Sequence, residues 1–355
     1  MMANRFLQLL ETKPFLMLDG ATGTNLFQMG LMTGDAPEMW NFEHPEKIEQ
    51  LHQSFVDAGS DLFLTNSFGG TRYRLKLHNA QDRVHEINRE AARIARRVAD
   101  RAMKEKDRPI IVAGSMGPTG ELYEPLGPLS IDDGADAFAE QARALADGGV
   151  DVLWIETMSS KEEVTAAVKG AAVTGLPFIT TCSFDTNGRT MMGLTPAEFA
   201  RFVHELDPKP IAYGANCGVG APDLVLTIAQ LAKASQPGDI IIAKGNCGIP
   251  YYEEGHIRYN GTPELMADYA KLARDAGARL VGGCCGTSPD HLAAIRNSLD
   301  THTPGEAPSV DTIVARLGKL TSNVAANLGN ESPAGEGSGR RGRRRANGAD
   351  GHPNF

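Results

Sequence analysis

Short apolar runs rich in Val, Ile, Leu and Phe recur along the chain, each ending in or running into Gly, Asn, Asp, Ser or another polar residue. There are eight, at 15–19, 61–66, 110–115, 150–156, 178–183, 211–216, 240–244 and 279–283. Between them lie segments whose apolar residues recur with a helical period, at 45–58, 82–104, 133–148, 161–173, 196–206, 222–234 and 263–276, and a final one at 289–299 follows a Ser288 N-cap. Several open on Pro and close on Gly, as helix ends prefer. Buried strands that alternate with helices predict parallel βαβ units. Eight such units closing on themselves predict an α/β fold, a (β/α)8 TIM-type barrel, and about 300 residues suit one. The rival is an open doubly wound sheet. Its phosphate-binding signature is incomplete in Asp19-Gly20-Ala21-Thr22-Gly23-Thr24, which lacks the full dinucleotide spacing.

From Ser322 onward the texture changes to Asn, Ala, Gly, Ser and Pro, ending in Gly339-Arg340-Arg341-Gly342-Arg343-Arg344-Arg345 and a short polar remainder. Such a segment cannot bury enough apolar surface to order itself. The division predicted is therefore a barrel domain at 1–321 and a disordered basic tail at 322–355. The tail's arginines either touch nucleic acid or an acidic partner, or simply keep the tail solvated. For the 355-residue chain as a whole the formal net charge is −9, which argues against a general role on nucleic acid or a membrane surface. No run approaches the ~20 apolar residues of a membrane span, and Met1 to Glu11 lacks the pattern of a cleavable leader. The expected compartment is the cytoplasm.

Barrel chemistry sits at the carboxyl ends of the strands. All five cysteines, Cys182, Cys217, Cys247, Cys284 and Cys285, fall at those ends. An odd number, placed late in the chain, is not a disulfide framework. Three thiolates with one open position are the ligand set of a catalytic zinc, and Cys217, Cys284 and Cys285 are the candidate metal ligands. The adjacent pair reaches one ion only if the backbone turns there, and Gly282, Gly283 and Gly286 are expected to supply that freedom. The competing readings are a buried or disulfide-linked Cys284-Cys285 pair and an inert Cys217. Cys182 is read as core, and Cys247 as a passive neighbour or a conditional fourth ligand.

A zinc held by three thiolates is too electron-rich for strong hydrolytic chemistry. It suits deprotonation of a substrate thiol, whose ordinary pKa near ~8.5 leaves it mostly protonated at neutral pH. If that thiol belongs to an amino acid, a carboxylate must receive its ammonium, and Glu156 and Asp19 are the acids on the rim. Asp19 before Gly could equally be a turn residue, whereas a carboxylate ending the apolar run Val152-Leu153-Trp154-Ile155 needs a partner. Backbone N–H groups of the Gly20–Gly23 turn and of the Thr65–Gly70 stretch are available for the substrate carboxylate.

These residues resemble the homocysteine S-methyltransferases, a family that includes betaine–homocysteine methyltransferases, S-methylmethionine-dependent enzymes and the homocysteine module of cobalamin-dependent methionine synthase. The resemblance runs from about Phe15 to Leu299. Leu18-Asp19-Gly20-Ala21-Thr22-Gly23-Thr24, Leu64-Thr65-Asn66-Ser67-Phe68-Gly69, Ile155-Glu156-Thr157, Gly214-Ala215-Asn216-Cys217-Gly218 and Gly282-Gly283-Cys284-Cys285-Gly286 carry it. It implies a zinc barrel with Cys217, Cys284 and Cys285 on the ion, Asp19 and Glu156 at the homocysteine amino group, and Gly20, Thr65 and Ser67 near its carboxylate. The implied reaction transfers a methyl group to the homocysteine thiol, giving methionine, from betaine, S-methylmethionine or a methylated corrinoid or folate system. The alternative is a homocysteine-binding subunit that works with a separate corrinoid methyl-carrier protein and is inactive alone.

Two departures bear on the donor. Gly69 and Thr157 stand where animal-type betaine enzymes look to carry tyrosines, so an aromatic cage for a quaternary ammonium would have to be rebuilt from Trp40, Tyr73, Tyr123 and Tyr251. Cys247 also stands where the family usually has a small residue.

Overall fold

The computed structural model describes residues 4–253 and 256–321, so the expected tail at 322–355 lies outside the described residues. Among the described residues there are ten strands: β1 (Leu16–Met17), β2 (Leu62–Leu64), β3 (Ile111–Met116), β4 (Val152–Met158), β5 (Phe178–Cys182), β6 (Tyr213–Cys217), β7 (Ile241–Gly245), β8 (Pro250–Glu253), β9 (His256–Tyr259) and β10 (Ala278–Gly283). Eight form one parallel sheet in the order β1-β10-β7-β6-β5-β4-β3-β2, with helices between them, and curl into a nearly closed TIM barrel. All eight expected strands are present, with ends shifted by no more than two residues. The antiparallel hairpin β8–β9, inserted after β7, was not foreseen.

The alternation of side chains along each strand builds two cores. Leu16, Leu18, Leu62, Leu64, Ile111, Ala113, Val152, Trp154, Ile179, Ile242 and Leu280 share the barrel interior. The residues between them, such as Met17, Phe63, Val112, Leu153, Ala243 and Val281, pack in the other cluster, which joins the sheet to the helices. That is the period of two expected for a strand buried on both faces. The N-terminal end of the interior is plugged by Phe6, Leu9 and Leu10 of the helix Arg5–Thr12. This unforeseen helix is capped by Asn4, whose amide also donates to Asp151 O at 2.8 Å.

The long helix Val84–Lys106 buries Ile87, Ala91, Ile94, Ala95, Val98 and Ala102, a stripe at spacings of three and four. The helix Pro196–Val203 is fixed at its start by a capping box between Thr195 and Glu198 with Pro196 in the first turn. That helix start therefore sits where its polar cap residue places it.

Backbone pairing leaves a seam between β1 and β2, the two ends of the strand order. One backbone bond and two carboxylates close it. Near the N-terminal end, Asp61 N–H donates to Met17 O at 2.7 Å and Met17 N–H donates back to Asp61 Oδ2 at 2.9 Å. Near the C-terminal end, Leu64 N–H donates to Asp19 Oδ2 at 2.8 Å.

Beside that seam, His52 of the helix Pro45–Asp57 is fully buried against Phe63, ring centroids 4.9 Å apart, and among the described residues neither ring nitrogen has a partner. Burial holds the imidazole neutral, pushing its pKa down to about 3. The unfolded chain takes up a proton at His52 below pH ~6.5 that the folded protein refuses. Stability that is full above that pH is therefore lost as pH falls toward about 3, at about 1.4 kcal/mol per pH unit. In urea titrations between pH 7 and 5, His52→Leu is expected to lose roughly 1–2 kcal/mol less than the native chain. Equal losses would mean that His52 is protonated in the folded state.

Candidate metal centre and its cavity

The alternation that fills the interior with Leu, Ile and Val continues upward into polar residues. Ala113 is followed two positions on by Ser115, Trp154 by Glu156, Ile179 by Thr181 and Ile242 by Lys244. These residues form a polar layer over the apolar one. Trp154 Nε1–H donates up the wall to Thr181 Oγ1 at 3.0 Å, and Thr181 Oγ1–H donates to Asn216 Oδ1 at 2.6 Å. A cavity of about 1260 Å³ opens above, its walls including Gly20, Thr65, Ser67, Ser115, Glu156, Cys217, Lys244, Cys284 and Cys285.

Cys217 Sγ lies 3.6 Å from both Cys284 Sγ and Cys285 Sγ, and all three sulfurs lie within 4.8 Å of one another. A tetrahedral ion with metal–sulfur bonds of ~2.3 Å needs sulfurs roughly 3.8 Å apart, so the set fits such an ion. Among the described residues it is the one cluster of this kind. Hydrogen bonds from Cys217 and Cys284 hold the Cys285 thiol well below its ordinary range, with Tyr259 adding a further bond.

Two asparagines brace the sulfurs. Asn246 Oδ1 accepts Cys285 N–H at 3.0 Å while its amide donates to Gly218 O at 2.8 Å, linking the ends of β6, β7 and β10. Asn216 Oδ1 accepts Thr157 N–H at 2.9 Å, and its amide donates to Thr157 Oγ1 at 2.7 Å. Thr157 and Cys217 both carry left-handed backbone, φ 63° and 62°, which is costly for residues with a side chain and is held by these bonds. The turn that presents Cys284 and Cys285 relies on Gly286, at φ +79°. Gly282 and Gly283 act differently from the expectation. Their φ is ordinary, but a Cβ on Gly282 would lie 2.5 Å from Leu18 Cβ, and one on Gly283 2.2 Å from Thr287 Oγ1. They allow close packing rather than an unusual turn.

Cys182 is fully buried, its thiol pushed up by burial first and Glu163 second, in keeping with a core residue. Cys247 is 1% exposed, its pKa pushed up to about 12 by burial, and it stands outside the three-sulfur cluster.

Glu156 is 6% exposed, and its carboxyl is pushed up to about 7. Burial is the main cause; Lys244 and a short hydrogen bond from Ser115 Oγ pull the other way. Ser115 is fixed in turn, for its N–H donates to Thr65 Oγ1 at 3.0 Å. Ser67 Oγ–H donates to Ser115 O at 2.8 Å and lies 2.6 Å from Thr65 Oγ1. The Thr65 and Ser67 hydroxyls are thus spent within the protein. So are the N–H groups of Thr65, Ser67, Gly69 and Gly70, taken by Ala113 O, Thr65 O, Glu38 Oε1 and Ser67 O.

Lys244 was not picked out from the sequence. It is 2% exposed, with Nζ 3.1 Å from Gly20 O and 3.2 Å from Asp19 Oδ1. Burial alone would lower its pKa, but Asp19, Cys284 and Glu156 outweigh that and hold it charged. Asp19 is fully buried and stands behind the cavity wall. Its carboxyl is raised by burial, against the lowering influence of Lys244 and Leu64 N–H. The signal for Lys244 was its place two residues after Ile242, a lysine on the inward phase of a buried strand.

The suggested aromatic cage does not assemble. Of Trp40, Tyr73, Tyr123 and Tyr251, Tyr251 lines the cavity. Trp40 is buried under Lys47, whose Nζ lies 4.5 Å from the ring centroid, and Tyr123 is 6% exposed.

Comparisons with known proteins agree with this geometry. A family model described as homocysteine S-methyltransferase matches residues 16–299. Methionine synthase of Mycobacterium leprae (strain TN) is 29% identical over 304 residues, which cover 82% of this chain and 25% of that protein. The chain thus spans about a quarter of the length of this curated relative. Among solved structures, the metallated and oxidized forms of the homocysteine methyltransferase MmuM from Escherichia coli superpose with TM-score 0.70 at 23% identity, covering 83% of this chain and 99% of that one. The apo form gives TM-score 0.65 at 22% identity. With the family model spanning the barrel from β1 to the last barrel helix, the chain belongs to the homocysteine S-methyltransferase family.

Proposed function

We propose that this barrel transfers a methyl group to the thiol of L-homocysteine, giving methionine, with zinc held by Cys217, Cys284 and Cys285. The observation that carries the reading is the set of three sulfurs at tetrahedral spacing on the same cavity as the buried acid Glu156. Zinc in that place would take the homocysteine sulfur as its fourth ligand and hold it as a nucleophilic thiolate. Glu156 offers a carboxylate where the amino-acid ammonium would lie, while the Asp19 charge behind the wall is met by Lys244. The amides of Gly20, Asn66 and Phe68, without a protein partner among the described residues, remain for the carboxylate. Asn216 and Asn246 keep the sulfurs in place, so the ligand geometry does not have to be assembled at the moment of binding. No described helix is long and apolar enough to cross a membrane.

The direct test is methionine formation by the purified protein from homocysteine with betaine, S-methylmethionine or a methylated corrinoid, alongside metal analysis. About one zinc per chain is expected, with metal and activity both lost in Cys217→Ala, Cys284→Ala and Cys285→Ala. A full complement of tightly bound zinc in Cys284→Ala would sink the ligand assignment.

One observation favours a carrier protein as the source of the methyl group. Of the thirteen exposed large apolar side chains among the described residues, ten lie on the segments that follow the carboxyl ends of the strands. Phe27, Met32, Phe68, Leu126, Met191 and Ile249 are among them. Apolar side chains gathered at that end are ones a docked carrier protein would cover. On this second reading methionine appears only when the methyl group arrives on a corrinoid protein, and turnover with free betaine or S-methylmethionine excludes it.

The raised carboxyl of Glu156 gives a pH signature. Ionisation of Glu156 is needed to receive an ammonium, so kcat/KM for homocysteine is expected to rise as pH increases through about 7. Ser115→Ala removes a bond that favours the ionised form, so this limb moves to higher pH. Glu156→Gln abolishes the limb and raises KM. An unmoved limb in Ser115→Ala would assign it to another group.

A further inference from the structure

Two amides stand where the helical pattern calls for apolar residues. Gln141 of the helix Ile131–Gly148 has Ala137, Phe138, Ala144 and Leu145 three and four positions away, all buried. Asn88 of the helix Val84–Lys106 has Val84, Ala91 and Ala92 in the same relation, and both amides are themselves fully buried. They meet behind the turn that follows β2. Gln141 Nε2–H donates to Ser67 O at 2.8 Å, to Asn88 Oδ1 at 3.0 Å and to Ser115 O at 3.3 Å. Asn88 Nδ2–H donates to Gly70 O at 2.8 Å and to Val84 O at 2.7 Å. Gly70 gives the amides room, for a Cβ there would lie 2.1 Å from Asn88 Oδ1 and 2.6 Å from Gln141 Nε2. Gln141 Oε1 is left buried without a partner. Turning that amide over would set Oε1 against three oxygens, so its orientation is fixed. A leucine at 141 would avoid the cost of the idle oxygen, and packing therefore does not account for the glutamine.

What the glutamine does is orient one peptide. The Ser67–Phe68 bond is planar and trans, so its C=O and N–H point in opposite directions. With Ser67 O drawn outward to the helix layer, Phe68 N–H is turned toward the cavity that Phe68 lines, and it has no protein partner among the described residues. The same glutamine holds Ser115 O, and Ser115 Oγ donates to Glu156. We propose that Gln141, braced by Asn88, is a positioning residue for the acceptor. From the outer helix layer it keeps the Phe68 N–H aimed at the carboxylate of an amino-acid thiol, and it locks that turn to the end of β3. Neither amide lines the cavity or touches the ligand. The inference rests on the reading that homocysteine is the acceptor.

The test compares binding of homocysteine and of 3-aminopropane-1-thiol, the same aminothiol without the carboxylate, to the zinc-loaded full chain by calorimetry. The native protein is expected to favour homocysteine by roughly tenfold or more, the size of one charged hydrogen bond. Gln141→Met, close in volume but without the donor, should cut that preference by roughly three- to tenfold. Its affinity for 3-aminopropane-1-thiol should stay within about threefold of native, because the thiol and ammonium ends are untouched. Where Gln141→Met does not fold, Gln141→Asn answers the same question: it keeps a buried amide one methylene too short to reach Ser67 O, and should lose the preference alike. Thermal melts and zinc content confirm that folded, loaded protein is being compared. A preference left intact in the variant, or both ligands weakened by the same factor, would overturn the positioning role while the acceptor reading stands. Equal binding of the two ligands by the native protein would overturn the acceptor reading and this inference together.

Discussion

A parallel barrel must close, and here closure depends on two carboxylates. β1 is only two residues long, and its backbone ladder is shared with β10 rather than with β2. Asp61 and Asp19 supply the missing bonds between β1 and β2, one near each end of the seam. The Asp61 carboxylate draws on Lys13, Arg108 and Arg296, with separations of 2.7, 3.5 and 3.2 Å. Asp19 has the single cation Lys244, in a place that water does not reach. If the seam opened, Gly20 and Thr65, which stand on its two sides, would separate, and the cavity floor would lose its shape. Fold and site therefore share one residue.

The same economy governs the polar layer. Burying Glu156, Lys244, Asp19 and three thiols on top of an apolar interior is costly unless each finds a partner. The partners come from within the layer: Ser115 for Glu156, Asp19 and Gly20 O for Lys244, Asn216 for the strained Thr157, and Asn246 for the cysteine turn. These bonds run between strands that are adjacent around the barrel or meet across its mouth. The layer also acts as a tie between strand ends, and side-chain satisfaction there continues the work of the backbone ladder.

Much of this was legible from the residue pattern. The eight buried runs and the helical segments between them specify the barrel, because strand and helix periods differ and the turns are marked by Gly, Pro and cap residues. The three cysteines were legible from their strand-end positions. Other features were not. The hairpin β8–β9 belongs to an insertion with no apolar period of its own, and the Arg5–Thr12 helix is defined by what it plugs rather than by its length. Lys244 was hidden because a lone lysine at the end of a strand reads as solvated until the inward phase of Ile242 is followed two residues on. Asp19 looked like a rim acid, and only the seam geometry places it behind the wall. For Gly282 and Gly283 the residue type was the right clue, but the reason was close packing against Leu18 and Thr287.

The left-handed residues Thr157 and Cys217 and the bracing asparagines belong to strand ends, whereas the apolar rim belongs to the loops above them. The molecule is therefore divided by height. The lower storey is rigid and bound into the barrel, so any change there threatens folding. The upper storey is made of segments whose sequence can drift at little cost to stability. In an evolving lineage, the loops above such a barrel can be exchanged while the floor that carries the three cysteines stays fixed. Relatives sharing this floor are thus free to differ in what their loops receive.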